Sequence, residues 1–427
     1  MQILRRLAQK QIGPKLLGTF TNGRFEQFFE ARTLTAGDIR QPETSAQIAK
    51  RMRELHDGIE LLKQERDAGA FVWQNWDKWK DRCEEVISWL DEEILAGHQG
   101  PVRSQGEQWK RRGLVCGVEW SVFRQAVRQY RDWLYERSGG EEKVKEQLIF
   151  AHNDTQYGNL MRMDPSGESP LLLPENSHKQ LKVIDFEYAN ANMPGLEFAN
   201  HFTEWCYDYH GDESFALHES LYPTLEEQRR FIRAYVQHTP PIQTRRPGLP
   251  QKSSMSGSTG SISQFMLDSR APRNTSYAEE ERAREKQVEG EVERLQQETR
   301  MWRLANSAQW VAWGIVQAKV VGMDEALEAR KKARPMTTTM NGQAVEDGEM
   351  KKDRAGLCLE NQDAEAERKR SSSEEGQEGG GDEEAFDYLA YAQERALLFW
   401  GDALQLGIAK REELPEELLK KVKLVNC

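Results

Sequence analysis

Residues 151–160 read AHNDTQYGNL and residues 183–188 read VIDFEY, and these two stretches decide how the chain is read. Each continues an apolar run, LIFA at 148–151 and LKVI at 181–184, with the character of a short buried strand rather than a helix face. Each run then delivers an acid to a loop: Asp154 in the first, Asp185 in the second, with Asn159 five residues beyond Asp154. Phosphoryl transfer from a nucleotide asks little of a protein. One carboxylate takes the acceptor hydroxyl's proton, and hard oxygen ligands hold Mg²⁺. An Asp and an Asn five apart on one loop supply the base and a metal ligand, and an Asp at a second strand end supplies the main ligand. Singly, Asp154 and Asn159 read as turn residues and Asp185 as a strand-end cap; the ordered set reads as a phosphotransferase site.

Composition excludes several other classes. The 427 residues are enough for two or three domain-sized units, and 38% hydrophobic with 30% charged residues suits a soluble globular chain carrying strongly polar segments. No apolar run approaches the roughly 18 residues needed to span a bilayer, and MQILRRLAQKQIGPKLLG lacks a secretory signal's apolar core. Cys83, Cys116, Cys206, Cys358 and Cys427 are scattered, without CxxC spacing, as reduced thiols of a cytoplasmic protein are. A net charge of -11 leaves no basic excess for nucleic acid.

Along the chain, ILRRLAQKQIG predicts a helix stopped at Gly13-Pro14. LLGTF and RFEQFFEARTL predict two strands joined at Asn22-Gly23. PETSAQIAKRMRELHDGIELL sets Ile48, Met52, Leu55, Ile59 and Leu62 on one helical face, with Thr44 and Gln47 as a capping box. Trp73, Trp76 and Trp79, three apart, read as a packed helix face. The block from about 147 to 211 is strand-rich, and helical patterns follow. Residues 240–276 and 323–382 have the Pro/Ser/Gly and acidic composition of disordered insertions. The class is α+β.

HNDTQYGN followed by IDFEYANANMPGLEFANHFTEWCYDYHG resembles the choline/ethanolamine kinase family, whose signatures are HNDxxxGN and an IDFEY…GxxxxNHFxEW block. The resemblance runs from residue 1 to about 238, over about 301–322 and over about 385–410. It implies a protein-kinase-like, two-lobed fold, with residues 1–35 a remnant of the small lobe (helix end, hairpin and hinge) and 36–239 the larger, mostly helical lobe with the catalytic segments. Residues 277–322 and 383–427 complete that lobe. The implied activity is ATP- and Mg²⁺-dependent phosphorylation of the choline or ethanolamine hydroxyl, the first step toward phosphatidylcholine and phosphatidylethanolamine. A homodimer is the assembly the resemblance implies.

A quaternary ammonium donates no hydrogen bonds, so a choline site needs aromatic faces and a carboxylate. Trp310 and Trp313 can present two indoles to one spot, and Tyr388 and Tyr391 repeat the spacing. By the resemblance these four, with Tyr188, Tyr209 and Glu204, form the cage; by residue pattern alone each aromatic is a core residue. The resemblance also puts Gln27 and Phe29 on the adenine side, Gln156 near the reacting groups, Asp154 as base, and Asn159, Asp185 and Glu187 at the metal. Asp185 also lies against ATP. His152 and His201 read as loop anchors rather than catalysts.

The family's Gly-rich loop, its basic strand residue and the helix acid that pairs with it fall upstream of anything in the sequence. The chain as written is therefore expected to bind an amine while turning it over slowly. The leading reading is a choline kinase. The alternatives are an ethanolamine kinase, or a catalytically impaired amine-binding or regulatory relative. An aminoglycoside-type phosphotransferase shares HxDxxxxN but not the NHFTEW block or the paired Trp.

Overall fold

The computed structural model describes residues 2–10, 12–97, 109–239, 273–333 and 386–425. It opens with α1 (Gln2–Gln9), β1 (Leu16–Phe20), β2 (Gly23–Glu26) and β3 (Ala31–Thr33). Helices α2 (Ala36–Ile39), α3 (Pro42–Gly58), α4 (Lys63–Asp67), α5 (Phe71–Gly97), α6 (Trp120–Arg137) and α7 (Glu141–Gln147) follow. The middle carries β4 (Ile149–Ala151), β5 (Leu160–Met163), β6 (Leu181–Val183) and β7 (Asn190–Asn192), then α8 (Pro194–Glu204) and α9 (Leu225–Gln237). Beyond these lie α10 (Arg273–Gln317), α11 (Met323–Ala333), α12 (Tyr388–Gln405) and α13 (Glu416–Leu419). The α+β class is as expected.

Three small antiparallel sheets organise the strands. β1 pairs with β2 across the Asn22-Gly23 turn. β5 lies between β3 and β6, with Leu160 opposite Val183. β4 pairs with β7, with Ala151 opposite Asn190. The last two pairings bring the ends of β4 and β6, and hence the two acid-bearing loops, together.

The core lies under α10, which packs against α5, α8, α9 and α12. Over 279–287 it is highly charged and exposed, while its second half is buried on nearly every side, the pattern of a helix entering a protein interior. Gly195 makes the close crossing of α8 and α10 feasible, because a Cβ there would lie 2.7 Å from the backbone of Glu298.

Several sequence expectations need correction. RFEQFFEARTL is not one strand: Gly23–Glu26 pairs with β1, and Ala31–Thr33 leaves for β5. The Thr44–Gln47 capping box does not form. Pro42 takes the first helical turn, making Gln41 the N-cap, and both side chains accept from Arg162 on β5 instead, Thr44 at 2.9 Å and Gln47 at 3.1 Å. Ile48, Met52, Leu55 and Ile59 are buried, but Leu62 lies beyond the helix end and is exposed. Trp73 and Trp76 are core residues and Trp79 is partly buried against the core. The segment 323–382 is helical at its start, over Met323–Ala333, where Met323 and Leu327 are buried against α5. The Trp-bearing helix begins at Arg273, inside the expected 240–276 insertion. The remainder of both insertions, 240–272 and 334–382, lies outside the described residues.

Candidate active site

The loop after β4 and the loop after β6 are tied together residue by residue. His152 Nε2 donates to the Ile184 carbonyl at 2.9 Å, while its Nδ1 accepts from the Asp154 N–H at 3.3 Å. Asn153 donates to the Tyr188 carbonyl at 2.8 Å and accepts from Asn192 at 2.7 Å. The Ile184 N–H closes onto the Asn159 carbonyl at 3.0 Å. Both Asn153 (φ 67) and Asp185 (φ 60) are left-handed, a conformation costly for non-glycine residues that is held only where surrounding bonds over-determine it.

Asp154 is buried, and Asn159 grips it twice: Nδ2 lies 2.9 Å from its backbone oxygen and 2.9 Å from Oδ2. Gln156 Oε1 caps the short turn Tyr157–Asn159 by accepting from the Gly158 N–H. Beneath the loop, both Glu197 oxygens accept the His152 N–H at 3.1 Å, and Oε2 also takes His56 Nε2 at 2.8 Å. Both expected anchor histidines are buried and tied to backbone carbonyls. Burial lowers the pKa of His152. It also brings His201 down to about 4, and His201 spends Nδ1–H on the Thr155 carbonyl at 2.9 Å.

The aromatics expected to form a cage do converge. Trp310 and Trp313 meet edge to face at 5.4 Å, and Tyr188 stands 5.6 Å from Trp310. Tyr388 and Tyr391 lie 5.5 and 5.9 Å from Trp313. Two further rings that the sequence reading missed complete the set. Tyr207 stacks on Tyr209 at 5.4 Å and lies 5.3 Å from Tyr391. Phe386 contacts Tyr209, Tyr388 and Tyr391. Indole N–H groups hold the rings in place: Trp310 donates to Asn200 at 2.8 Å, and Trp313 to the Tyr188 hydroxyl at 2.9 Å. Gly314 lets α12 start this close, since a Cβ there would lie 2.9 Å from the Tyr388 carbonyl.

Glu204 sits behind this set with both oxygens occupied. Oε1 accepts from Arg395 at 2.7 Å and Oε2 from the Tyr209 hydroxyl at 2.7 Å. Arg395 is wholly buried, donates Nε to the Tyr391 hydroxyl at 3.0 Å, and stacks over Tyr207 and Tyr391. Burial, then the Glu204 charge, push the Tyr209 phenol well above its ordinary value, leaving it a neutral donor. Burial likewise raises Tyr391, and the Asp154 charge adds to the rise.

Gln27 and Phe29 lie on the connector 27–30 between β2 and β3, where Lys182 Nζ stands 5.7 Å over the Phe29 ring. Glu187 follows Asp185 on the loop after β6 and is half-buried. Among the described residues one other group has metal-ligand types, Glu54, His178 and His238. Both histidines place Nε2 on the same Glu54 oxygen, at 3.0 and 3.3 Å, while Arg51 pairs with the other oxygen. The Arg51 charge already balances the carboxylate, so the cluster is a hydrogen-bonded strut between α3, the 174–180 segment and the end of α9.

The site thus combines two acid-bearing loops laced side by side, an Asp–Asn clamp and a cluster of aromatic rings. The sequence profile of the choline/ethanolamine kinase family matches residues 1–400, and the chain belongs to that family. It is 30% identical to a choline kinase of Saccharomyces cerevisiae, over 97% of this chain and 65% of the relative. It is 25% identical to an ethanolamine kinase of the same yeast, over 96% and 64%. The chain thus spans just under two thirds of the length of these relatives. Among solved structures it is similar to a choline kinase from Cryptosporidium parvum, with 18% identity, a TM-score of 0.45, and coverage of 78% of this chain and 75% of that one. No helix among the described residues is long and apolar enough to cross a membrane.

Proposed function

We propose that the protein phosphorylates the hydroxyl of choline, with ATP as donor and Mg²⁺ as the metal. The observation that carries this reading is the link between the two halves of the site: Asn153, next to Asp154, donates to the Tyr188 carbonyl at 2.8 Å, and the Tyr188 hydroxyl accepts from Trp313 at 2.9 Å. A trimethylammonium group seated against Trp310, Trp313, Tyr391, Tyr188, Tyr388 and Tyr209 gains cation–π attraction at each face without needing an acceptor. Asp154 accepts the hydroxyl proton as the oxygen attacks the terminal phosphoryl group, and Asn159 holds the carboxylate's rotamer through Oδ2.

The donor set fits a hard divalent ion: Asp185 and Glu187 offer carboxylate oxygens, and Asn159, with Nδ2 spent on Asp154, offers Oδ1. Bound there, Mg²⁺ neutralises charge on the transferring phosphates. Asp185, Gln27, Phe29 and Gln156 are the residues assigned to the ATP side. In this reading Gln156 shapes the catalytic turn, and Phe29 faces the adenine from the connector.

The test is competition. The protein is given Mg-ATP with equal choline and ethanolamine, and the products are separated by mass. Phosphocholine in excess supports the reading, and phosphoethanolamine in excess replaces it with an ethanolamine kinase.

A further inference from the structure

We infer that Arg395 is a specificity-determining residue, which with Tyr209 withdraws the Glu204 carboxylate from the amine and so favours a quaternary over a primary ammonium. The inference rests on the proposed amine site. A primary ammonium carries three N–H donors and gains most from a carboxylate it can hydrogen-bond; a quaternary ammonium has none and gains from ring faces. A Glu204 with an open oxygen would therefore serve ethanolamine more than choline. In this fold each oxygen is already engaged, Oε1 by Arg395 and Oε2 by the Tyr209 hydroxyl, each at 2.7 Å, so an amine meets a carboxylate whose charge is offset and whose best-placed lone pairs are taken.

The charge is cancelled as well as covered. Glu204 and Arg395 are 2% and 0% exposed, so the pair stands in a low-dielectric interior with a net charge of zero. Arg395 reaches the box from behind. It lies four residues after Tyr391 on α12, its guanidinium is 5.1 Å from the Tyr391 ring and 4.8 Å from Tyr207, and its Nε holds the Tyr391 hydroxyl. Its NH1 is buried with no hydrogen-bond partner. That uncompensated donor costs stability, so fold stability alone is a poor reason for an arginine here.

The experiment measures choline and ethanolamine dissociation constants by calorimetry without ATP, for the full chain and for R395Q, R395K, Y209F and the double variant E204Q/R395Q. Turnover is recorded separately, so loss of the kinase reading and loss of this inference are distinguishable. R395Q is expected to tighten ethanolamine relative to choline by about tenfold, the worth of one hydrogen bond to a charged group. R395K is expected to keep the wild-type ratio, and E204Q/R395Q to restore it by removing the exposed carboxylate. Y209F, which frees Oε2 without disturbing a buried charge, is expected to shift the ratio in the same direction by a smaller factor. It decides the matter if R395Q does not fold. An unchanged ratio in both R395Q and Y209F, or in Y209F alone should R395Q not fold, overturns the inference, as does failure of the wild-type chain to bind either amine.

Discussion

Asn159 holds Asp154 at two points, the backbone oxygen and carboxylate Oδ2, both 2.9 Å from its amide nitrogen. An Asp–Asn pair at this spacing can orient a base without adding charge to it. Asn159→Asp would put two carboxylates in contact, and like charges that close cannot both ionise near neutrality. The acid limb of the kcat–pH profile should move up by more than about one unit, with little change in choline affinity. An unmoved limb would remove Asp154 from the proton transfer.

Trp313 and Trp310 should answer truncation differently. Trp313 is half-buried, and Trp313→Ala should weaken choline binding by about tenfold or more, the worth of a desolvated cation–π contact, with a modest change in Tm. Trp310 is 5% exposed and anchored by Asn200 and Asn306, so Trp310→Ala should also cost about 3–5 kcal/mol of stability. Calorimetry and thermal melts on both variants check the split.

Asp91 is a half-buried acid whose Oδ1 is buried without a hydrogen-bond partner. Burial, and then the nearby Glu119 charge, push it up to about 7. Since its folded pKa exceeds its unfolded one, the folded state gains a proton the unfolded state lacks as pH falls below 7, and that gain is lost as pH rises through 7. Asp91→Asn, which resembles the protonated form, should raise Tm at pH 8 and do less at pH 5. An equal effect at both would refute the shift.

His201 has the opposite sign. Its folded pKa of about 4 lies below the ordinary histidine value, so its neutral form favours folding above about 6.5 and that contribution is lost as pH falls toward 4. The loss reaches about 3 kcal/mol by pH 4. In His201→Gln that loss is gone, so the stability gap between wild type and variant should narrow between pH 7 and pH 5. Denaturant melts at the two pH values measure it.

The catalytic loops were legible because their signal is local: an apolar strand, an acid, and an Asn five residues on. The aromatic cluster reads as a cage only by resemblance, since Trp310 and Tyr391 are nearly as buried as core aromatics. Arg395 escaped notice because a charged residue in a helix normally faces water, and only its four-residue offset from Tyr391 hinted at a shared task. The capping box at Thr44 failed because Arg162, 118 positions away, captured both side chains. No local pattern carries that information. RFEQFFEARTL contains no turn signal, so its division between two sheets is a tertiary outcome.

Phosphocholine formation from choline and Mg-ATP, compared between the wild-type chain and Asp154→Asn with choline affinity measured on both, bears most directly on the assignment of Asp154 beside an amine-binding box. Wild type should form phosphocholine at least about 10²-fold faster than the variant, the lower range for loss of a positioned base, at equal choline affinity. Equal rates in the two proteins, or a wild-type rate no higher than that of buffer, would contradict it.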